Sequence, residues 1–286
     1  MIRLGGHGVQ LEGNDPVDWA RAHKTFGYTA AYCPDGLSVQ DLDRVHEVRD
    51  AFAREDVMIA EVGAWGNMVS PDPERRARQR EFVCERLALA DEVGALCCVN
   101  YIGTFLPDSE IGPHPDNLGR AGFDACVEVA RDIIDTVQPK RAKFSLEMMQ
   151  TQLPDTPEVY AALAHAIDRP AFGVHLDPAN IVLSPRQYFN TGDLLRHCFA
   201  VLGQWVVSCH AKDIILRDTL ALHLDEIIPG QGNLNYSVYL KELNKLPGEI
   251  PLMLEHLASP EEYATAHEHL RAVGEAAGVD IKTVDK

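Results

Sequence analysis

Four residues stand out for their type and spacing: Glu147, Asp177, His210 and Glu255. Each closes a short apolar run: Phe144-Ser145-Leu146-Glu147, Phe172-Gly173-Val174-His175-Leu176-Asp177, Val206-Val207-Ser208-Cys209-His210 and Pro251-Leu252-Met253-Leu254-Glu255. The gaps between them are 30, 33 and 45 residues. Such gaps fit a strand, a loop, a helix and the next strand, so consecutive parallel strands would each offer one ligand at the same end. Two glutamates, an aspartate and a histidine form an oxygen-rich set with one imidazole. That mixture suits Mn²⁺ or Mg²⁺ better than a structural Zn²⁺ site, which prefers Cys and His. The expected cofactor is one divalent ion, Mn²⁺ first, with Mg²⁺, Co²⁺ and Zn²⁺ as alternatives. A single acid at a strand end is more often a helix cap or an ion-pair partner. Four on successive strands make a ligand cluster.

Residues near the four extend the candidate site. Side chains alternate along a strand, which puts His175 on the side of Asp177, and Lys212 on the side of His210 if that strand continues. His175 reads as a packed barrel histidine or a proton-transfer group. Lys212 would hold an anionic or hydroxyl-rich substrate, or pair with Asp213. Asn180 would orient a ligand or a substrate hydroxyl, or shape the loop after Pro178. Arg217, His223 and Glu226 fall in the loop between His210 and Gly230, and one of them is expected to touch substrate. The candidate substrate-binding set is therefore His175, Asn180, Lys212, Arg217 and His223. Gly230-Gln231-Gly232 is a weak phosphate-loop signal, equally explained as a tight turn.

The elements that must position these residues alternate short apolar runs with longer amphipathic stretches, eight times. Strands are expected near Ile2–Leu4, Ala30–Cys33, Val57–Val62 and Ala95–Tyr101, then at the four runs above. Helices are expected after Asp15-Pro16, after Ser38 as N-cap, over about Pro73–Val93 and Phe123–Val137, after Thr156-Pro157, Thr191-Gly192 and Ser259-Pro260, and near Tyr236–Leu246. A loop rich in Pro and Gly follows the fourth strand, through Pro107, Gly112, Pro113 and Pro115. It reads as a lid, a partner contact or a surface excursion. Eight strand–helix units without a linker or a GxGxxG after the first strand point to an α/β fold, a single (β/α)8 TIM barrel, as one domain over residues 1–286. In such barrels the active residues come from the C-terminal ends of the strands.

Composition limits the partners. The 286 residues carry a formal net charge of −17, which argues against nucleic acid or anionic membrane as a partner. Seven cysteines without a CxxC pair do not form a disulfide framework or zinc finger. The first residues read as a strand rather than a signal peptide, and no stretch approaches a membrane span, so the cytoplasm is the expected compartment.

Leu146-Glu147, Leu176-Asp177-Pro178-Ala179-Asn180, Cys209-His210-Ala211-Lys212-Asp213, Pro229-Gly230-Gln231-Gly232 and Leu254-Glu255-His256 together resemble the xylose isomerase-like barrels, a superfamily of sugar isomerases and sugar or sugar-phosphate epimerases. The resemblance implies a divalent metal, often Mn²⁺, on Glu147, Asp177, His210 and Glu255. It also implies that Glu147 and Glu255 are the acid–base pair on opposite sides of a sugar or keto-sugar substrate. Ketose epimerases of this family often carry a His where this chain has Asn180, a departure from that pattern that leaves the metal set intact. The implied activity is isomerisation or epimerisation through α-proton abstraction and a metal-stabilised enediolate. A lyase or dehydratase acting through the same enolate is the alternative, as in inosose and dehydroshikimate dehydratases and in 3-keto C-glycoside deglycosylation. AP endonucleases resemble the same barrel but use additional histidines, where this chain offers Asn67 and Asn100. A non-catalytic sugar-binding or scaffold role is the remaining class, and homo- or hetero-oligomerisation is left open.

Overall fold

The computed structural model describes residues 1–284. Its strands are β1 (Ile2–Gly6), β2 (Ala30–Tyr32), β3 (Met58–Gly63), β4 (Cys97–Asn100), β5 (Lys143–Glu147), β6 (Phe172–Leu176), β7 (Val206–Ala211), β8 (Asp213–Leu216), β9 (Leu224–Ile227) and β10 (Ile250–Leu254). Eight of them form one parallel sheet in the order β1-β10-β7-β6-β5-β4-β3-β2. The two ends of this sheet meet, because the Thr29 amide donates to the Leu4 carbonyl at 2.9 Å. Gly5 permits the approach: a Cβ there would lie 2.5 Å from the Ala30 carbonyl oxygen. The expected (β/α)8 TIM barrel is therefore the observed architecture.

The helices are α1 (Pro16–Phe26), α2 (Leu42–Arg54), α3 (Pro73–Val93), α4 (Arg120–Val137), α5 (Pro157–Ile167), α6 (Pro185–Tyr188), α7 (Thr191–Leu202), α8 (Tyr236–Leu243) and α9 (Pro260–Ala277). Their starts follow local chemistry. Asp15, Asp72, Thr156 and Ser259 cap α1, α3, α5 and α9, each followed by a proline whose missing N–H costs nothing in a first turn. Most of the core lies between strands and helices, where Ile2, Leu4, Phe144, Leu146, Val174 and Leu252 meet Val83, Leu87, Ile133, Leu163 and Leu270. Burying each such side chain contributes about 1.5–3 kcal/mol. Inside the barrel the filling is different. Ala30, Ala60 and Met253 pack together there, and Arg3 binds Asp56 and Glu249 at 2.7 and 2.6 Å.

The structure corrects some local expectations. The N-cap of α2 is Asp41, whose Oδ1 accepts from the Arg44 amide at 3.1 Å; Ser38 instead accepts from Gln40 in the preceding turn. The segment between His210 and Gly230 is not an open loop, because β8 and β9 pair there as an antiparallel hairpin. The Pro- and Gly-rich segment after β4 is bolted to the barrel by two buried asparagines. Asn67 donates to the carbonyls of Thr104 and Ser109, and Asn117 donates to those of Gly112 and Thr151. Among the described residues no helix is long and apolar enough to cross a membrane.

Candidate metal centre

At the C-terminal ends of β5, β6, β7 and β10, one ligand atom each of Glu147, Asp177, His210 and Glu255 lies within 4.8 Å of the others. His210 Nδ1 is 2.7 Å from Glu255 Oε1, 3.1 Å from Glu147 Oε1 and 3.7 Å from Asp177 Oδ2. All four residues are buried. Lys212 enters the same cluster: its Nζ lies 2.9 Å from Asp177 Oδ2 and 3.5 Å from Glu147 Oε1, and it also contacts Glu255.

Packing behind the strands fixes these positions. The Tyr160 hydroxyl accepts from the amides of Leu146 and His175 at 3.2 and 3.1 Å and donates to the Leu146 carbonyl, which pins β5 to β6 just behind Glu147. Tyr239 donates to the His210 carbonyl at 2.9 Å, and Tyr236 donates to that of Lys212 at 2.6 Å. The amides of Ala179 and Asn180 donate to Asp177 Oδ1, which leaves Oδ2 for the cluster. Asn180 donates to the Met148 carbonyl at 3.0 Å and approaches Glu147 Oε1 at 3.4 Å.

Charge explains what this arrangement can hold. Burial alone would raise the carboxyls of Asp177 and Glu255, yet Lys212 and His210 outweigh it and hold both below the usual carboxylate range. Burial likewise opposes charge on His210 and Lys212, but the surrounding carboxylates raise both above their ordinary values. Lys212 is thus a fixed ammonium and not a nucleophile. Three carboxylates against one ammonium leave two negative charges when the imidazole is neutral. Asp177 Oδ2 and Glu255 Oε1 are buried without a well-aligned hydrogen bond. Donor type, spacing and charge all fit one divalent cation.

A further residue escaped the sequence reading. Glu61, in the middle of β3, is buried beneath the cluster, with its Oε2 3.4 Å from the Nε2 atoms of both His175 and His210. Ser208 donates to its Oε1 at 2.8 Å. Burial would raise its carboxyl, but the two histidines hold it well below the ordinary value. The available signal was a lone charge inside the apolar run Met58-Ile59-Ala60-Glu61-Val62.

The other expected site residues are distributed around this centre. His175 is fully buried below it and faces Glu61. Asn180 and Lys212 border it. Arg217 and His223 both pair with Asp225 on the exposed hairpin, at 2.6 and 2.8 Å, rather than with any of the four clustered residues. Glu226 binds His256 at 2.9 Å and lies 3.9 Å from Lys212. The amides of Gly230 and Gly232 donate to Asp213 at 2.9 and 3.1 Å. The phosphate-loop reading is corrected accordingly, because Asp213 already takes those donors. Asp213 is therefore not the partner of Lys212. Asn67 and Asn100 hold backbone instead of extending the ligand set, since Asn100 exchanges two hydrogen bonds with Gly66.

Two cavities open near the centre, and only the smaller is lined by residues of the cluster. One of about 250 Å³ is lined by Lys212, Glu226, Glu255 and His256; another of about 380 Å³ is lined by His7, Trp19, Tyr32 and Asp35. His7 stacks on Tyr32 with ring centres 4.1 Å apart, and the exposed Trp65 stacks on Tyr101 at 5.8 Å beyond the ends of β3 and β4. A larger depression of about 590 Å³ runs along the outside of α4 and holds none of these groups.

Solved structures share this architecture. A probable 3-DHS dehydratase involved in petrobactin synthesis, from Bacillus anthracis, superposes with a TM-score of 0.70 at 17% identity, over 96% of this chain and 98% of that one. A D-psicose 3-epimerase from Clostridium cellulolyticum H10, solved with D-tagatose, gives 0.65 at 13% identity, over 94% and 98%. A xylose isomerase-like TIM barrel protein from Mycobacterium smegmatis, solved in complex with magnesium, gives 0.64 at 18%, over 96% and 97%. At these identities the likeness establishes the fold. No curated protein sequence matches the chain. The family model described as "Xylose isomerase-like TIM barrel" matches residues 18–273, so the chain belongs to that family.

Proposed function

We propose that this protein is a divalent-metal-dependent enzyme that isomerises or epimerises a sugar or keto-sugar by abstracting a proton next to a carbonyl. The observation that carries the reading is the convergence of three carboxylates and one imidazole nitrogen within 4.8 Å at the C-terminal ends of four barrel strands. Glu147, Asp177, His210 and Glu255 would hold the ion, with Mn²⁺ preferred. When bound, it supplies Lewis-acid stabilisation of charge developing on the substrate's carbonyl oxygen. Glu147 and Glu255 serve as the acid–base pair, one removing the α-proton and the other returning a proton. Lys212, kept charged by its carboxylate neighbours, donates hydrogen bonds to substrate oxygens from the wall of the 250 Å³ cavity. Trp65 and Tyr101 offer an aromatic face to the C–H side of a sugar ring. We read residues 1–286 as one cytoplasmic domain without a nucleic-acid partner.

Elimination through the same enolate is the second reading, and Asn180 favours it. An amide cannot relay a proton, and this one is already committed to the Met148 carbonyl and Glu147. The Bacillus anthracis neighbour carries the name of a dehydratase. The test is a panel of ketoses, inososes and 3-keto-glycosides offered in D₂O to the Mn²⁺-loaded protein and followed by NMR. Deuterium should enter beside the carbonyl, or a leaving group should depart, only while metal is bound. Full turnover after chelation to zero metal content would overturn the metal-dependent reading. Absence of a stoichiometric ion would favour a non-catalytic scaffold.

A further inference from the structure

Below the proposed metal centre lies Glu61, whose side chain, among the described residues, engages Ser208, His175 and His210. His210 presents its two ring nitrogens to opposite sides: Nδ1 to Glu147, Asp177 and Glu255, and Nε2 to Glu61 Oε2 at 3.4 Å. Glu61, His175, Ser208 and His210 are all buried to within about 2% of full enclosure. Among the described residues neither nitrogen of His175 nor the Nε2 of His210 has a well-aligned hydrogen-bond partner, and Glu61 Oε2 faces both Nε2 atoms at 3.4 Å. A neutral imidazole can offer a lone pair on one nitrogen only while the other carries the proton. A buried carboxylate facing Nε2 therefore selects the tautomer with Nε2–H and leaves the Nδ1 lone pair for a cation. Ser208 fixes the carboxylate in turn, through its 2.8 Å hydrogen bond to Oε1.

We propose that Glu61 is a positioning residue for the metal centre, holding His210 in the Nε2–H tautomer so that Nδ1 is the ligand atom. The inference rests on the metal reading of Glu147, Asp177, His210 and Glu255. Its rival is a second ion held directly by Glu61, His175 and His210, whose ligand atoms also converge within 4.8 Å.

The test is calorimetric titration of metal-free wild-type protein and of Glu61→Gln with Mn²⁺. It is paired with ring ¹⁵N spectra of the Zn²⁺-loaded wild type, His210 being assigned by its absence in His210→Ala. Wild type should bind one ion per chain, and Glu61→Gln one ion some 10–100-fold more weakly, the usual cost of losing a ligand's outer partner. The His210 spectrum should show a proton on Nε2 and metal on Nδ1. Equal affinity in a folded Glu61→Gln, or metal on Nε2, overturns the inference while leaving the four-ligand centre standing. Two ions in wild type and one in the variant make Glu61 a ligand, which also overturns it. Should Glu61→Gln fail to fold, the wild-type spectrum decides alone. A wild-type protein that binds no divalent ion removes the metal reading itself, and this inference with it.

Discussion

His210 Nδ1 lies 2.7 Å from Glu255 Oε1, and both groups are buried at the ends of adjacent parallel strands. Thirty to forty-five residues of chain separate successive members of the cluster, yet the barrel delivers them to one point.

Replacing His210 with Ala should lower Mn²⁺ occupancy sharply while the barrel stays folded. One of the four proposed ligands is lost, and the imidazole anchors no backbone here, since Tyr239 holds this position through the His210 carbonyl. Metal analysis after gel filtration, beside a circular dichroism spectrum, reads both quantities. Full occupancy in this variant would remove His210 from the ligand set.

Lys212→Met should make stability depend on metal. In the metal-free protein the ammonium is a fixed positive charge among Asp177, Glu147 and Glu255. Removing one partner of a buried ion cluster costs about 3–5 kcal/mol. A divalent ion restores the balance, so saturating Mn²⁺ should raise the melting temperature of Lys212→Met more than that of wild type. Equal shifts in the two proteins would speak against a shared charge site.

The clustering of Glu147, Asp177, His210 and Glu255 was legible in the sequence because each interrupts an otherwise apolar run at a strand's end. The barrel was legible for a related reason: capped helices with Pro in the first turn alternate with those runs. Glu61 was not, since it sits mid-strand and its partner Ser208 is 147 residues away. Periodicity cannot show which side of a strand faces a barrel's interior until closure is known. The β8–β9 hairpin was hidden by the short, polar-edged strand Leu224–Ile227, and beside it Asp213 gathers the amides of Gly230, Gly232 and Leu234. Ser38 was mistaken for a cap because it precedes the amphipathic run, whereas the turn continues to Asp41 before helical geometry begins.

Tyr160→Phe should cost about 1–3 kcal/mol, because it removes a buried hydroxyl that joins the backbones of β5 and β6. Urea denaturation of the metal-free protein measures it. A change below a few tenths of a kcal/mol would mean that the two strands satisfy those amides without the hydroxyl.

His267 should make the fold acid-sensitive. It is buried against Tyr28 and Gly27, and burial, helped by Arg271, lowers it from 6.5 to about 4. Because the folded value is depressed, the unfolded chain takes up the proton first as pH falls. The contribution is intact above pH 6.5 and is lost progressively between 6.5 and 4, to a limit of about 3 kcal/mol. His267→Phe cannot bind that proton, so between pH 7 and 4.5 it should lose less stability than wild type in parallel denaturation curves. Parallel losses would show that His267 is protonated as readily in the folded chain as in the unfolded one.

The central claim is that a glutamate of this centre takes a substrate α-proton while a divalent ion is held by the same cluster. The direct measurement is the rate of solvent deuterium exchange into a keto-sugar that the wild type turns over, in Glu147→Gln and Glu255→Gln proteins loaded to equal Mn²⁺ content. A positioned base is worth roughly 10²–10⁴-fold, so at least one variant should lose that much of the exchange rate. Wild-type exchange in both metal-loaded variants would contradict the account, because neither carboxylate could then be the base.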